Sequence, residues 1–327
     1  MQYEFSRLLK YLCLVLLLFS AACIRNKGEG QVTQQIQSPS PDAILQTDKN
    51  PPVLHAEHWE TPQPLPAPID MEGDELAPFI TLAGDELYFF YNTDLSLSEA
   101  KRVLDGISGI YYSRKVDRVW SEPEKVVLSE ENALDSCVYT DGQTLWFCSK
   151  RDGNYKEEGD LYTASRVDGI WQNWQNAGEQ LNIDYDVSEV HLSADQNTMI
   201  FSAFRYGGFA LTDLWQTRRV GEGWSEPVNL GDVINSTEIE DYPFLSEDGL
   251  ELWFTAFSRL GYPGFAIFRS TWQDGEWGEP QEIISNNVSE VSIDRAGNLY
   301  FAHFFFNEEE ELLGSKIYVA YKIDDAD

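Results

Sequence analysis

The polar and apolar positions of this chain fall into one phrase that returns five times. Its clearest copy opens with Tyr242-Pro243-Phe244-Leu245 and breaks at Ser246-Glu247-Asp248-Gly249. It resumes with Leu252-Trp253-Phe254-Thr255, continues through Ile267-Phe268-Arg269-Ser270 and closes on Trp277-Gly278-Glu279-Pro280. Runs of β-branched and aromatic residues bounded by Gly, Asp and Asn predict strands joined by tight turns. Each copy shows three such strands, and the segment after the Trp leads into a fourth, as in Lys125-Val126-Val127-Leu128 and Glu282-Ile283-Ile284. Four antiparallel strands recurring at a period of about 50 residues predict the blades of a propeller.

The fifth copy, from Val291-Ser292-Ile293-Asp294 to Ile317-Tyr318-Val319-Ala320, stops before its closing phrase. A copy of that phrase stands out of place near the other end, at Trp59-Glu60-Thr61-Pro62. The N-terminal segment is therefore expected to supply the outer strand of the last blade, which closes the ring and leaves no half-formed blade. The expected fold is all-β: a five-bladed β-propeller of four-stranded antiparallel blades. It forms a single domain over 53–327, with blades at roughly 70–128, 129–182, 183–235, 236–284, and 285–327 plus 57–69.

The Asp141-Gly142 turn, the aromatic second strands, Asp160-Leu161-Tyr162, Asp213-Leu214-Trp215 and the Trp-x-x-Pro closures resemble the WD40-like repeats of the Tol-associated (TolB-type) periplasmic propeller family. The resemblance covers nearly all of 57–324 and implies a propeller acting as a binding platform for diverse partners. The Tol protein itself carries an extra α/β domain and a sixth blade, and neither is visible in this sequence.

Ahead of the repeats, Arg7 and Lys10 precede the apolar run Tyr11 to Phe19, which is too short to span a bilayer as a helix. Ser20-Ala21-Ala22-Cys23 resembles a bacterial lipobox, with Ser20 where Leu is usual. The resemblance implies a lipidated Cys23, and Ile24 after it points to the outer membrane rather than the inner one. An ordinary secretory peptide cut near Ala22 is the alternative. Residues 24–52 are rich in Gln, Ser, Pro, Asp and Asn and are expected to form a flexible tether spanning about 30 Å.

Composition narrows the partners. Lys and Arg total 23 against 55 Asp and Glu, a formal charge of -32, which excludes nucleic acid and disfavours anionic lipid as a surface to bind. Such a surface is soluble and attracts divalent cations or basic partners. The sequence lacks a Gly-x-Ser-x-Gly elbow, a His-Glu-x-x-His helix and a phosphate loop. Its four histidines, His55, His58, His191 and His303, are not spaced as a ligand pair, and His191 reads as a packed core residue on an inner strand.

Carboxylates recur just ahead of or within each innermost strand: Glu75, Asp135, Glu189, Glu240 with Asp241, and Glu290. Innermost strands line a propeller's central channel, so these six are expected to form an acidic ring at one mouth. Three readings stay open. The ring could hold Ca²⁺ or Mg²⁺. Asp135, Glu189, Asp241 and Glu290 could supply a glycosidase's two carboxylates, about 5–9.5 Å apart. The favoured reading is that the side chains hydrogen-bond strand ends and turns. Arg151, Arg205 and Arg259, with Asp160 and Asp213, recur at equivalent places and are expected to be structural staples. The repeated Trp59, Trp120, Trp171, Trp224 and Trp277 are expected to pack between blades. Cys137 and Cys148 flank one turn and form a candidate cross-strand disulfide. Glu308 to Glu311, after Phe304-Phe305-Phe306, reads as a solvated loop. Together these features point to a lipid-anchored envelope module that binds a protein or glycan without catalysing a reaction or needing a cofactor. The alternative is a carbohydrate-active hydrolase.

Overall fold

The computed structural model describes residues 48–94, 97–129, 133–157, 159–204, 208–259, 264–309 and 311–323. The targeting segment, Cys23, most of the tether and Arg205 lie outside the described residues. The N-terminal end supplies β1 (Val53–Leu54) and β2 (Gln63–Pro64). Blade 1 holds β3 (Asp74–Ile80), β4 (Glu86–Asn92), β5 (Gly109–Val116), β6 (Val119–Trp120) and β7 (Glu124–Lys125). Blade 2 holds β8 (Leu134–Thr140), β9 (Thr144–Lys150), β10 (Asp160–Val167) and β11 (Ile170–Asn176). Blade 3 holds β12 (Val187–Leu192), β13 (Thr198–Ala203), β14 (Asp213–Val220), β15 (Gly223–Trp224) and β16 (Val228–Asn229). Blade 4 holds β17 (Ile239–Leu245), β18 (Glu251–Phe257), β19 (Phe265–Gln273), β20 (Glu276–Trp277) and β21 (Gln281–Ser285). Blade 5 holds β22 (Val288–Ile293), β23 (Leu299–Phe306) and β24 (Leu312–Ala320). All pairings are antiparallel, and the five sheets make a five-bladed propeller.

The second strand of each blade is sandwiched between neighbouring blades, which explains its continuous apolar run. Phe89, Phe147, Phe201, Phe254 and Phe301 occupy equivalent registers there, and each is fully buried. Burial of one such ring stabilises the fold by about 1.5–3 kcal/mol. The repeated Trp residues fill the seams. Trp171 donates its indole N–H to the Tyr88 hydroxyl of the preceding blade at 3.2 Å, and Trp224 meets Trp146 edge-on at 6.4 Å.

Closure follows the split repeat. In β2, Gln63 pairs with Val319 and Pro64 with Tyr318, so the N-terminal segment completes blade 5. Trp59 wedges between blades 4 and 5, edge-on to Trp253 at 5.9 Å, and donates its N–H to the Gly297 carbonyl at 2.7 Å. The chain also docks earlier than the expected tether boundary at residue 52. In β1, Val53 pairs with Ser285 and Leu54 with Ile284, which adds an edge strand to blade 4. Before it, the Asp48 carboxylate bonds the fully buried His303 ring at 3.0 Å, and Asn286 donates to the Pro51 carbonyl at 2.8 Å. Polar composition suggested a free chain, but these residues satisfy partners on blades 4 and 5. They sit on the face where the second-to-third-strand loops lie, opposite the turns that join each first strand to its second.

Candidate functional site

The innermost strands β3, β8, β12, β17 and β22 each slip register by a bulge near their middle. At the bulge stand Ala77, Cys137, Glu189, Tyr242 and Glu290, one per blade. Four of them have left-handed φ: Ala77 47°, Cys137 34°, Tyr242 51° and Glu290 62°. Bulges re-aim side chains, and here Ala77, Glu189, Tyr242 and Glu290 line one small space between the blades. Two residues further along stand Phe79, Tyr139, His191, Phe244 and Ser292. The channel therefore has two levels with different chemistry.

The second level is the floor of a funnel. Phe79 and Tyr139 meet at 5.5 Å, Tyr139 and His191 at 4.6 Å, and His191 and Phe244 at 4.5 Å. Above them a cavity of ≈ 540 Å³ opens between the first turns of the blades. Its wall carries Arg166, which grips Glu86 with both terminal nitrogens at 3.0 and 2.7 Å, and Arg295, which pairs with Glu247 at 3.1 Å. Asp85 accepts from Thr81 and Asp141 caps its own turn through the Gln143 and Thr144 amides. Burial pushes His191 down to about 3, so the ring is neutral, and its Nδ1 accepts the Leu245 amide at 3.3 Å. The packed-histidine expectation thus describes its state, while its position adds that it lines the funnel.

The six sequence-predicted carboxylates do not form one ring. Three are matched to cations within the framework. Glu75 meets Lys316 at 2.9 Å and accepts the Met71 amide; burial pushes its carboxyl up to about 8 against the pull of Lys316. Asp135 meets Arg151 at 2.6 Å, and Arg151 stacks over Trp174. Glu240 accepts from the Ser236 amide and hydroxyl and lies 3.3 Å from Arg259. These are the staples foreseen for Arg151 and Arg259.

The other three gather in the bulge level of the channel. Glu290 Oε2 accepts the Ala77 amide at 2.6 Å, and Asp241 accepts the Tyr242 amide at 2.8 Å. Burial drives Glu189 well above the usual carboxylate range, helped by the charges of Asp241 and Glu290. Burial likewise raises Asp241 to about 6 and Glu290 to about 7, and the Tyr242 phenol is raised by burial and these neighbouring acids. Glu189 and Tyr242 are half-buried, and both line the channel space. The space they bound, with Ala77 and Glu290, is ≈ 50 Å³.

Cys137 and Cys148 are joined in a disulfide with Cα atoms 5.4 Å apart, across the hairpin of β8 and β9. Their sulfurs and a Glu189 oxygen lie within 4.8 Å of one another, but bonded sulfurs are not thiolate ligands. Sequence reasoning missed the funnel floor, although Phe79, Tyr139, His191 and Phe244 all hold the second-to-last place of their strands. It also missed an asparagine ladder with a legible signal. Asp160 accepts from Asn176, which bonds Asn182, and Asn182 clasps both backbone groups of Leu161. Asp213, Asn229, Asn235 and Leu214 repeat this with identical spacing.

What the fold and channel define is a five-bladed propeller with an aromatic-floored funnel over an acidic chamber. No protein family matches the chain, and no curated protein does. Among solved structures it is similar to TolB from Acinetobacter baumannii, at 13% identity and TM-score 0.44 over 78% of this chain and 56% of that one. The chain thus spans little more than half of that TolB. It is also similar to an α-L-arabinofuranosidase from Podospora anserina, at 14% identity and TM-score 0.46, over 82% and 97% of the two chains. A gluconolactonase from Xanthomonas campestris gives 11% identity and TM-score 0.41 over 92% and 100%. A TolB and two enzymes stand side by side among these likenesses, which carry no functional argument at these scores.

Proposed function

We propose that this protein is a non-enzymatic binding module whose funnel receives an apolar or aromatic side chain from a partner polypeptide with basic flanks. The observation that carries the reading is the funnel floor: three aromatic rings and a neutral histidine at the end of a ≈ 540 Å³ cavity. Apolar floors with a few placed polar groups are what side-chain recognition needs. The surplus of acids over the rest of the surface favours basic flanks by charge complementarity. The four carboxylates on the funnel wall are each engaged, by Arg166, Arg295, Thr81 or turn amides, which leaves no free acid–base pair facing an occupant. The chamber acids lie below the floor in a space too small for a sugar ring.

The reading places the module at the cell envelope, held by lipid on Cys23 and facing the periplasm or the cell surface. The folded part is entered on the face opposite the funnel, so an anchor attached ahead of residue 48 would leave the funnel directed away from the membrane. The test is capture of partners from crosslinked envelopes by the wild type and by Ala83→Trp/Ala194→Trp, which fills the rim at two exposed sites. Loss of the captured partner with an unchanged melting temperature is expected. Capture that survives the filled funnel refutes the reading. Glycan hydrolysis that disappears in Asp135→Asn or Glu189→Gln would replace it with the hydrolase alternative.

A further inference from the structure

The acidic chamber beneath the floor has no role in the funnel's binding and poses its own electrostatic problem. Glu189, Tyr242 and Glu290 converge on it from three blades, with Asp241 close enough to add its charge, yet the described residues that bound it include no Lys or Arg. Glu290 is 4% exposed, and its Oε1 has no hydrogen-bond partner among the described residues. No hydrogen bond or ion pair among the described residues reaches the Glu189 carboxylate, although Glu75, Asp135 and Glu240, each two residues before the bulge of its strand, have a basic partner. A buried carboxylate without a counter-charge costs far more than a folded domain can spare, so such groups take up protons or share a cation.

We propose that the chamber binds one hard divalent cation of the calcium class, held by Glu189, Glu290 and the Tyr242 hydroxyl with Asp241 as a neighbouring charge. Space fits this. One water needs about 10–15 Å³ of such space, so ≈ 50 Å³ admits an ion with about two to four waters. Two carboxylates give up to four oxygens and the phenol one more, and waters complete the six to eight ligands that Ca²⁺ takes. Long side chains arriving from three blades make an irregular oxygen shell, which suits Ca²⁺ better than octahedral Mg²⁺. On the blade 2 side the wall is Val138, and the Cys137–Cys148 pair near Glu189 is bonded as a disulfide and offers no thiolate for softer metals. Among the described residues, the titratable groups facing the chamber are Glu189 and His191 from blade 3, Tyr242 from blade 4 and Glu290 from blade 5, with the Asp241 charge beside them; blade 1 presents Ala77 and Phe79.

The chamber shares Phe79, His191 and Phe244 with the funnel floor, but its proposed ligands Glu189, Glu290 and Tyr242 do not line the funnel, so the test does not depend on what the funnel binds. The experiment is calorimetric titration of Ca²⁺ into chelator-stripped full-length protein at about 0.15 M salt, where surface charges are screened. One ion per chain is expected. Glu189→Gln and Glu290→Gln should each weaken binding at least tenfold, while the exposed Glu122→Gln leaves it unchanged. Should Glu290→Gln fail to fold, Glu189→Gln decides alone, since that carboxylate has no hydrogen bond to lose. No saturable uptake by the wild type, or uptake that Glu189→Gln leaves intact, overturns the proposal and leaves the chamber a store of protons.

Discussion

Ring closure rests on very few residues, and Trp59 is the one to perturb. Its side chain is 6% exposed and packs with Trp253, Ile267, Phe301 and Tyr318 across the seam of blades 4 and 5. Its indole N–H satisfies the Gly297 carbonyl, and Lys322 lies over its ring at 4.3 Å. Truncating a buried Trp to Ala typically costs about 3–5 kcal/mol. For a domain of this size each kcal/mol lowers the melting temperature by about 2–4 °C, so Trp59→Ala should lower it by roughly 6–20 °C. The neighbouring exposed Glu57→Ala should stay within about 0.5 kcal/mol of the wild type. Deleting 57–69 goes further, because Leu65 and Ile69, 3% and 1% exposed, seal the seam of blades 5 and 1. The three lost side chains sum to about 7–15 kcal/mol, comparable with the whole stability of a typical domain. Calorimetry with amide exchange read blade by blade is the assay. Protection should fall first in β24, the strand that pairs with the lost β2. Unchanged melting temperatures in both variants, or protection lost equally in all blades, would refute the closure argument.

The remaining predictions concern the acids and the asparagine ladder. Glu290 and Asp241, raised by burial to about 7 and 6, hold protons in the folded state that the unfolded chain has already released. Their contribution is complete below about pH 4 and is lost as pH rises through 6 to 7, on the order of 3 kcal/mol at most per group. The melting temperature of cation-free protein should therefore fall between pH 5 and 8, less steeply in Glu290→Gln; a rising curve or an unaltered slope in that variant contradicts the assignment. Asn235→Ala unsatisfies both backbone groups of Leu214 and should cost about 1–3 kcal/mol in urea unfolding, with Asn182→Ala matching it in blade 2. A cost below about 0.5 kcal/mol would mean the ladder is decorative.

Much of the architecture was legible because its causes are local and repeated. A strand buried on both faces reads as an apolar run, a tight turn reads as Asp-Gly, and a missing closing phrase has to be supplied from the other end of the chain. Periodicity even marks the staples, since Arg151 and Arg259 meet their acids at equivalent places. The six acids ahead of the inner strands were legible as a set, but their fates were not. Glu75 finds Lys316 in the last blade, and no neighbour in sequence announces that pairing. The aromatic floor, the chamber below it and the docking of Asp48 on His303 are likewise sums of contributions from blades far apart in the chain. The sequence by itself determined the five-fold repeat and the split blade, because period and hydrogen-bond need are properties of short segments. Only the tertiary structure decided which carboxylates gained a cation and which were left facing one another. Bulge geometry sets where a side chain points, and ring closure sets what it meets there.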